Sequence, residues 1–343
     1  MLTNKSQIKF LWIAALIFST LACRAASRLI IPDTPTPVPS PTFTPVPSPT
    51  DTPTQTVEAS CPGLLADIME ATTSFQGGSR EADKERYLVT YTVDGDQINS
   101  PSYPSVPADF KKEQDDSATQ EALWNYFAAI IPLEQRTFVT NFSIITDGKG
   151  NILAAVTPNY NDPSLWELDV DILDASNYYS FTFTLIHEFG HLLTLNSQQV
   201  SPSLAIFNNP DSEEIYQQEI DACHQYFPGE GCSNPNSYIN AFYDRFWTGL
   251  YDEWKTIDEK KKDDNYDKLL NDFYYKYKDQ FVTDYAPTSP EEDIAESWAF
   301  FVLAPKPEGD SIADQKVLFY YEYPELVQLR KEILSRICTE FPQ

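Results

Sequence analysis

Two rhythms of apolar and polar residues run through this chain. A helical period recurs over Leu64–Phe75 and over Ser117–Ile131, predicting a helix in each stretch. Ser117 and Gln120 stand where a capping box would open the second helix, and Pro132 ends it. Phe138–Thr146 and Ile152–Thr157 are β-like runs, and the Asp147-Gly148-Lys149-Gly150-Asn151 segment between them predicts a hairpin. Trp166–Leu173 alternates cleanly, with Leu168, Val170 and Ile172 on one face and Glu167, Asp169 and Asp171 on the other. That pattern predicts a half-buried strand at a sheet edge. Ser180–Asn196 is apolar around most of its circumference, so a buried helix is expected. Ser237–Trp247 carries aromatics at helical spacing and reads as core, while Asp258–Asp272 mixes Lys and Asp as a solvated helix face. Further on, Ser289 and Pro290 open a helix that becomes strongly apolar from Ile294.

The expected buried helix contains Leu185-Ile186-His187-Glu188-Phe189-Gly190-His191-Leu192, an H-E-x-x-H pattern. Residues four apart share a helix face, so His187 and His191 can grip one metal ion. Glu188 then stands beside the ion, where it can take a proton from an activated water and pass it to a leaving amine. The chain has three histidines, and two of them fall here. Burying two imidazoles and a carboxylate in an apolar helix is costly unless they bind something. The third, His224, next to Cys223 before a Pro-Gly loop, reads as an exposed side chain.

A catalytic zinc takes three protein ligands and leaves a position open. No histidine follows His191 at a suitable spacing, so a carboxylate is the economical third ligand. The segment Tyr285-Ala286-Pro287-Thr288-Ser289-Pro290-Glu291-Glu292-Asp293-Ile294-Ala295-Glu296 offers candidates. Glu292 and Glu296 are one turn apart, so Glu292 can bind zinc while Glu296 accepts the other N–H of a ligand histidine. Glu291 and Glu296 are alternative ligands, and acids in a first helical turn also suit the helix dipole without any metal.

These two segments resemble the gluzincin metallopeptidases, thermolysin-like in ligand type. They are closer still to the lethal-factor-like branch, where a Tyr precedes a T-N-x-x-E-x-x-A-E helix. The resemblance implies zinc held by His187, His191 and Glu292, with Glu296 behind a ligand histidine. It implies that the Tyr285 hydroxyl polarises the scissile carbonyl or stabilises the oxyanion; a purely structural Tyr285 is the alternative. Ser289-Pro290 in place of the usual Asn pair, and Asp293 where an apolar residue is common, depart from the pattern. Fold-level likeness is expected over residues 130–305.

Composition extends the picture. With 42% hydrophobic and 14% aromatic residues the chain can bury a sizeable core. A formal charge of -27 excludes nucleic acid, whose phosphates demand Lys and Arg, and excludes electrostatic docking on anionic lipid. Lys5 and Lys9 precede an uncharged run from Phe10 to Ala22, too short for a membrane span of about 20 residues, and the pattern of an export signal. Thr20-Leu21-Ala22-Cys23 resembles the lipobox of bacterial lipoproteins, which implies that Cys23 is lipidated; an uncleaved anchor is the alternative. Pro32–Pro53 is almost entirely Pro, Thr, Ser and Val, so it favours extended polyproline II and could reach roughly 70 Å as a stalk. The remaining Cys61, Cys223, Cys232 and Cys338 suit two disulfides in an exported chain. Cys223 with Cys232 closes a short loop through Phe227–Gly231, leaving Cys61 with Cys338.

The expected organisation is a signal peptide at 1–22, a lipid-anchored Pro/Thr-rich linker at 23–59, and a zincin-like domain at 60–343. The expected fold is α+β: a small mixed or antiparallel sheet on the His187 helix, with a mainly helical C-terminal half. The expected function is an extracellular zinc peptidase on the outer face of a bacterial membrane, or secreted. Its partner would be a peptide or protein substrate laid along the sheet edge, and it would touch membrane only through its N-terminus. A non-catalytic zinc-containing surface binder and a zinc amidase of cell-wall peptides are the alternatives.

Overall fold

The computed structural model describes residues 61–72, 86–148, 150 and 152–342. The expected signal peptide, Cys23, the linker, the last three residues of the first predicted helix, and Lys149 and Asn151 lie outside these residues. No described helix is long and apolar enough to cross a membrane.

The protein is mixed α+β, with a five-stranded sheet in the order β2-β1-β3-β5-β4. Strands β1 (Arg86–Asp94) and β2 (Gln97–Ser102) form an antiparallel pair whose turn uses Gly95 at φ 62°, a left-handed conformation that glycine adopts without strain. Strand β3 (Val139–Thr146) lies antiparallel to β1 and parallel to β5 (Asp162–Asp171), and β4 (Ala154–Asn159) closes the sheet antiparallel to β5.

The expected hairpin between the two runs at 138–146 and 152–157 is therefore not formed, because β5 is inserted between them. The chain passes from β3 over to the far side of β5, and the tight turn comes next, at Tyr160-Asn161, where Asn161 N–H bonds the Asn159 side chain at 2.8 Å. Strand β5 consequently occupies an interior position, and β4 is the edge. Its acidic face is not solvated either: Asp169 and Asp171 are buried along with Leu168 and Val170. Asp169 accepts from the Tyr87 hydroxyl at 2.8 Å, and Asp171 accepts from the backbone N–H groups of Asp147 and Leu173, both at 2.7 Å. Alternation here reports two differently satisfied faces of an interior strand.

Helix α1 (Pro62–Thr72) precedes the sheet, and α2 (Lys111–Gln114) and α3 (Ser117–Ile130) follow its first hairpin. The cap of α3 is Asp116, whose carboxylate accepts from Thr119 N–H at 3.2 Å, so Ser117 is already the first helical residue. Gln120 turns inward instead, taking the Tyr91 hydroxyl and donating to the Glu113 and Gln114 carbonyls. Through Trp124, whose ring lies 5.4 Å from that of Phe142, α3 packs on the sheet. Helix α4 (Tyr178–Leu195) packs beside it, with the Tyr126 and Thr182 hydroxyls 2.6 Å apart. Asn177 caps α4 at its start, and the Asn196 amide donates to the Leu192 and Leu193 carbonyls at its end.

The second half is helical apart from a two-stranded sheet of β6 (Val200–Pro202) and β7 (Gly231–Ser233). Its helices are α5 (Leu204–Asn208), α6 (Glu213–Ala222), α7 (Tyr238–Phe246), α8 (Tyr251–Asp258), α9 (Tyr266–Tyr277), α10 (Pro290–Leu303), α11 (Ile312–Phe319) and α12 (Pro324–Glu340). The aromatic stretch of α7 is core as expected, with Phe242 and Phe246 buried. The Lys- and Asp-rich run at 258–272 is exposed but is not one helix face: it spans the turn between α8 and α9.

Two disulfides, Cys61–Cys338 and Cys223–Cys232, are formed in the expected pairing and belong to a non-reducing environment. The tightest constraint on the arrangement of helices lies between α4 and α10. A Cβ on Gly190 would stand 3.0 Å from Trp298 Cδ1 and 3.1 Å from the Ala295 Cα, so glycine sets how closely the two helices approach. Gly190→Ala is expected to lower stability by about 1–3 kcal/mol through overpacking. Chemical denaturation of the metal-free protein, read by tryptophan fluorescence, measures this.

Candidate metal centre

Helix α4 is apolar on nearly every side because it is enclosed by the sheet, α1 and α10, with Tyr126 of α3 against its first turns. His187, Glu188 and His191 are 6%, 7% and 9% exposed. Polar groups so enclosed need partners, and α10 supplies them. At its start the Ser289 hydroxyl accepts from Glu292 N–H at 3.2 Å, and Pro290 occupies the first turn. This cap fixes Glu292 in the first turn, facing α4.

His187 Nε2 and His191 Nε2 lie 3.1 Å apart, and Glu292 Oε2 is 3.1 Å from the first and 3.4 Å from the second. His187, His191 and Glu292 form a group that can hold a metal ion. On the opposite edge of the imidazole, His187 Nδ1–H donates to Glu296 Oε1 at 2.8 Å, which fixes the tautomer that leaves Nε2 free to coordinate. Glu296 is held in turn by the Thr283 hydroxyl, which donates to Oε2 at 2.6 Å. His191 Nδ1 has no such partner among the described residues. Glu292, with 22% of its side chain exposed, is the outermost of the three ligand candidates and marks the open side.

Glu188 is outside this triangle. Its Oε2 accepts the backbone N–H of Val156, in edge strand β4, at 3.0 Å. Burial pushes the Glu188 carboxyl up from its ordinary range, outweighing the two imidazoles and the Val156 N–H, which favour ionisation. Tyr285 is 51% exposed, yet its ring lies 6.0 Å from that of His187. Burial of its hydroxyl and the nearby Glu292, Glu188 and Glu296 carboxylates hold the phenol well above its ordinary range.

The residues expected from the sequence are thus brought together: His187, His191 and Glu292 as one group, with Glu188, Glu296 and Tyr285 around it. Glu291 is excluded as a ligand, since its Oε1 accepts the Tyr226 hydroxyl at 2.6 Å. His224 is exposed, as expected. Thr283 and Val156 escaped notice because one hydroxyl in a loop and one backbone amide carry no pattern. Gly190 did leave a signal, as an isolated glycine inside a buried helix. A second acidic group, Asp147, Asp171 and Asp174, also brings ligand atoms within 4.8 Å. Asp171 there is engaged by the backbone N–H groups named above, and the Ile152 N–H bonds Asp147 Oδ2 at 3.1 Å, so these acids tie down the turn after β3.

No family model matches the chain, and no curated protein or solved structure is significantly similar to it.

Without metal, burial would depress His187, but hydrogen bonds to Glu292 and Glu296 prevail and raise it well above its ordinary value. Burial likewise opposes ionisation of Glu292, and the two imidazoles prevail in lowering it. A proton therefore occupies the triangle and must leave as metal enters. Because the His187 value is raised, that competition extends above the ordinary histidine range, and metal affinity is expected to climb with pH through neutrality. Chelator-competition titrations across pH 6–9 check this on the order of one released proton per bound ion. Glu296→Gln is expected to weaken metal binding about 10–100-fold in the same assay.

Proposed function

We propose that this chain is an exported zinc metallopeptidase, zincin-like in fold, that hydrolyses peptide bonds with water and uses Glu188 as general base. The observation that carries this is the triangle of His187 Nε2, His191 Nε2 and Glu292 Oε2, with sides of 3.1, 3.1 and 3.4 Å, next to a buried carboxylate that is not part of it. Tetrahedral zinc with bonds of 2.0–2.1 Å spaces its ligands about 3.3 Å apart, so the donors fit that ion in both type and separation. A purely structural site takes four protein ligands and has no use for an adjacent base. The disulfides fit an extracellular setting, and the signal-like N-terminus with Cys23 fits export to the outer membrane face or secretion.

Zinc, when bound, supplies Lewis acidity to a carbonyl and lowers the pKa of a water toward 7. The remaining work falls to the chain. Glu188 takes a proton from water and returns it to the departing amine, and the Val156 N–H fixes one carboxylate oxygen so that the other faces the reactant. Tyr285 stays protonated at neutral pH and can donate to the developing oxyanion. Glu296 and Thr283 keep the His187 ring in place.

A peptide is the substrate that suits the sheet edge beside Glu188. The Val156 N–H points out of the sheet toward Glu188, so the same side of β4 carries the outward groups of Ala154 and Pro158. Pro158 has no N–H and that of Val156 is taken, so this edge offers an extended chain mainly carbonyl acceptors.

The decisive measurement combines zinc content with a broad peptide-cleavage screen, run with and without chelator. One zinc per chain and chelator-sensitive hydrolysis are expected. Glu188→Gln should retain zinc and lose about 10²–10⁴-fold in turnover. Hydrolysis that survives in that variant, or in zinc-free protein, sinks the reading.

A further inference from the structure

Asp293 and Lys316 form an ion pair that is wholly shielded, with side-chain exposures of 0% and Nζ 2.6 Å from Oδ2. Asp293 follows a ligand candidate in sequence but takes no part in the triangle. An ion pair in such a place does little for stability, because removing two charges from water offsets their attraction. Asp293 Oδ1 has no hydrogen-bond partner among the described residues, which makes the arrangement costlier still. Its value must lie elsewhere, and the geometry says where.

One carboxylate joins three parts of the fold. Asp293 Oδ2 stands in ion contact with Lys316 Nζ of α11, which makes no aligned hydrogen bond among the described residues, and accepts the Trp247 indole N–H, just past α7, at 2.8 Å. Lys316 Nζ stands 4.1 Å from the centre of the Phe281 ring. Phe281 lies two residues before Thr283, whose hydroxyl holds Glu296. Lys316 thus contacts both α10 and the segment that steadies Glu296.

At about 100° per residue, Asp293 projects from the flank of α10, about 60° around from Glu296. A glutamate carboxylate reaches about 6 Å from the helix axis, so a rotation of α10 by roughly 20° would move it on the order of 2 Å. That would break a ligand triangle with sides of 3.1–3.4 Å. The Gly190–Ala295 approach fixes the separation of α4 and α10, and apolar packing is non-directional, so neither fixes rotation well. The Trp247 N–H bond to the Asp293 carboxylate is directional, and the Lys316 charge holds the same carboxylate toward α11.

We infer that the Asp293–Lys316 pair is a positioning device for the metal centre, setting the rotation of α10 and hence the aim of Glu292 and Glu296 at the two histidines. The inference rests on the metal-centre reading and concerns residues that neither bind the metal nor touch substrate.

The test replaces the pair as a unit. In D293N/K316M the asparagine still accepts from Trp247 and no unpaired charge is left behind, so the metal-free fold is expected to melt close to wild type. Zinc affinity, by competition with a chromogenic chelator, is expected to fall about 10–100-fold, and kcat to fall with KM little changed. Wild-type zinc affinity in a folded D293N/K316M overturns the inference, because a merely structural pair would leave the site intact. Should that variant not fold, Trp247→Phe, which removes only the indole donor, carries the test: a loss of about three-fold in zinc affinity is expected, and an unchanged value overturns the inference. Wild-type protein that binds no zinc removes the inference together with the metal reading. Wild-type protein that binds zinc but cleaves nothing removes only the peptidase reading, and the affinity comparison stands.

Discussion

The close approach of two buried helices at Gly190 is the constraint on which the rest of this structure depends. The histidines of α4 can accept a carboxylate from α10 only if the backbones nearly touch, and a methyl group at 190 would meet both Trp298 and Ala295. Everything nearby serves that closeness: the Ser289 cap, the Glu296–His187 bond, and the Tyr320 hydroxyl on the Ile294 carbonyl. Polar groups that would be destabilising in either helix alone satisfy one another once the two are joined.

The electrostatics of the centre come from the same enclosure. Three glutamates and two histidines share a small, water-poor space, where burial opposes the ionised forms of Glu188, Glu292 and His187. Their mutual contacts produce different outcomes: Glu292 is driven toward its ionised form, Glu188 is held above its ordinary range, and His187 is kept protonated when no metal is present. One residue type thus takes two characters, a ready anion at 292 and a reluctant one at 188, according to the neighbours each carboxylate meets.

How much of this was legible beforehand depends on the range of the interaction. The H-E-x-x-H spacing and the Glu292/Glu296 pair are local helical patterns, and both lead to residues that the fold brings together. Both cysteine pairings were legible from loop length and elimination. Strand order was not: the turn-rich residues after Thr146 suggest a hairpin whether the next strand pairs with β3 or, as here, crosses beyond β5. The acids of β5 misled for a related reason, since a sequence cannot reveal that Tyr87, 82 positions away, waits for Asp169. Ser117 lost the capping role to its neighbour Asp116, a one-residue competition that propensity does not resolve.

The bond between Cys61 and Cys338 has a mechanical consequence. It joins the first described residue to the final helix, with the Cα atoms of the two cysteines 5.7 Å apart. Any pull arriving through the chain ahead of Cys61 is shunted across sulfur into α12. Cys61 and Cys338, 277 positions apart, close a covalent ring that contains both α4 and α10, so tension on a tether would drag the domain bodily and leave those two helices unstretched.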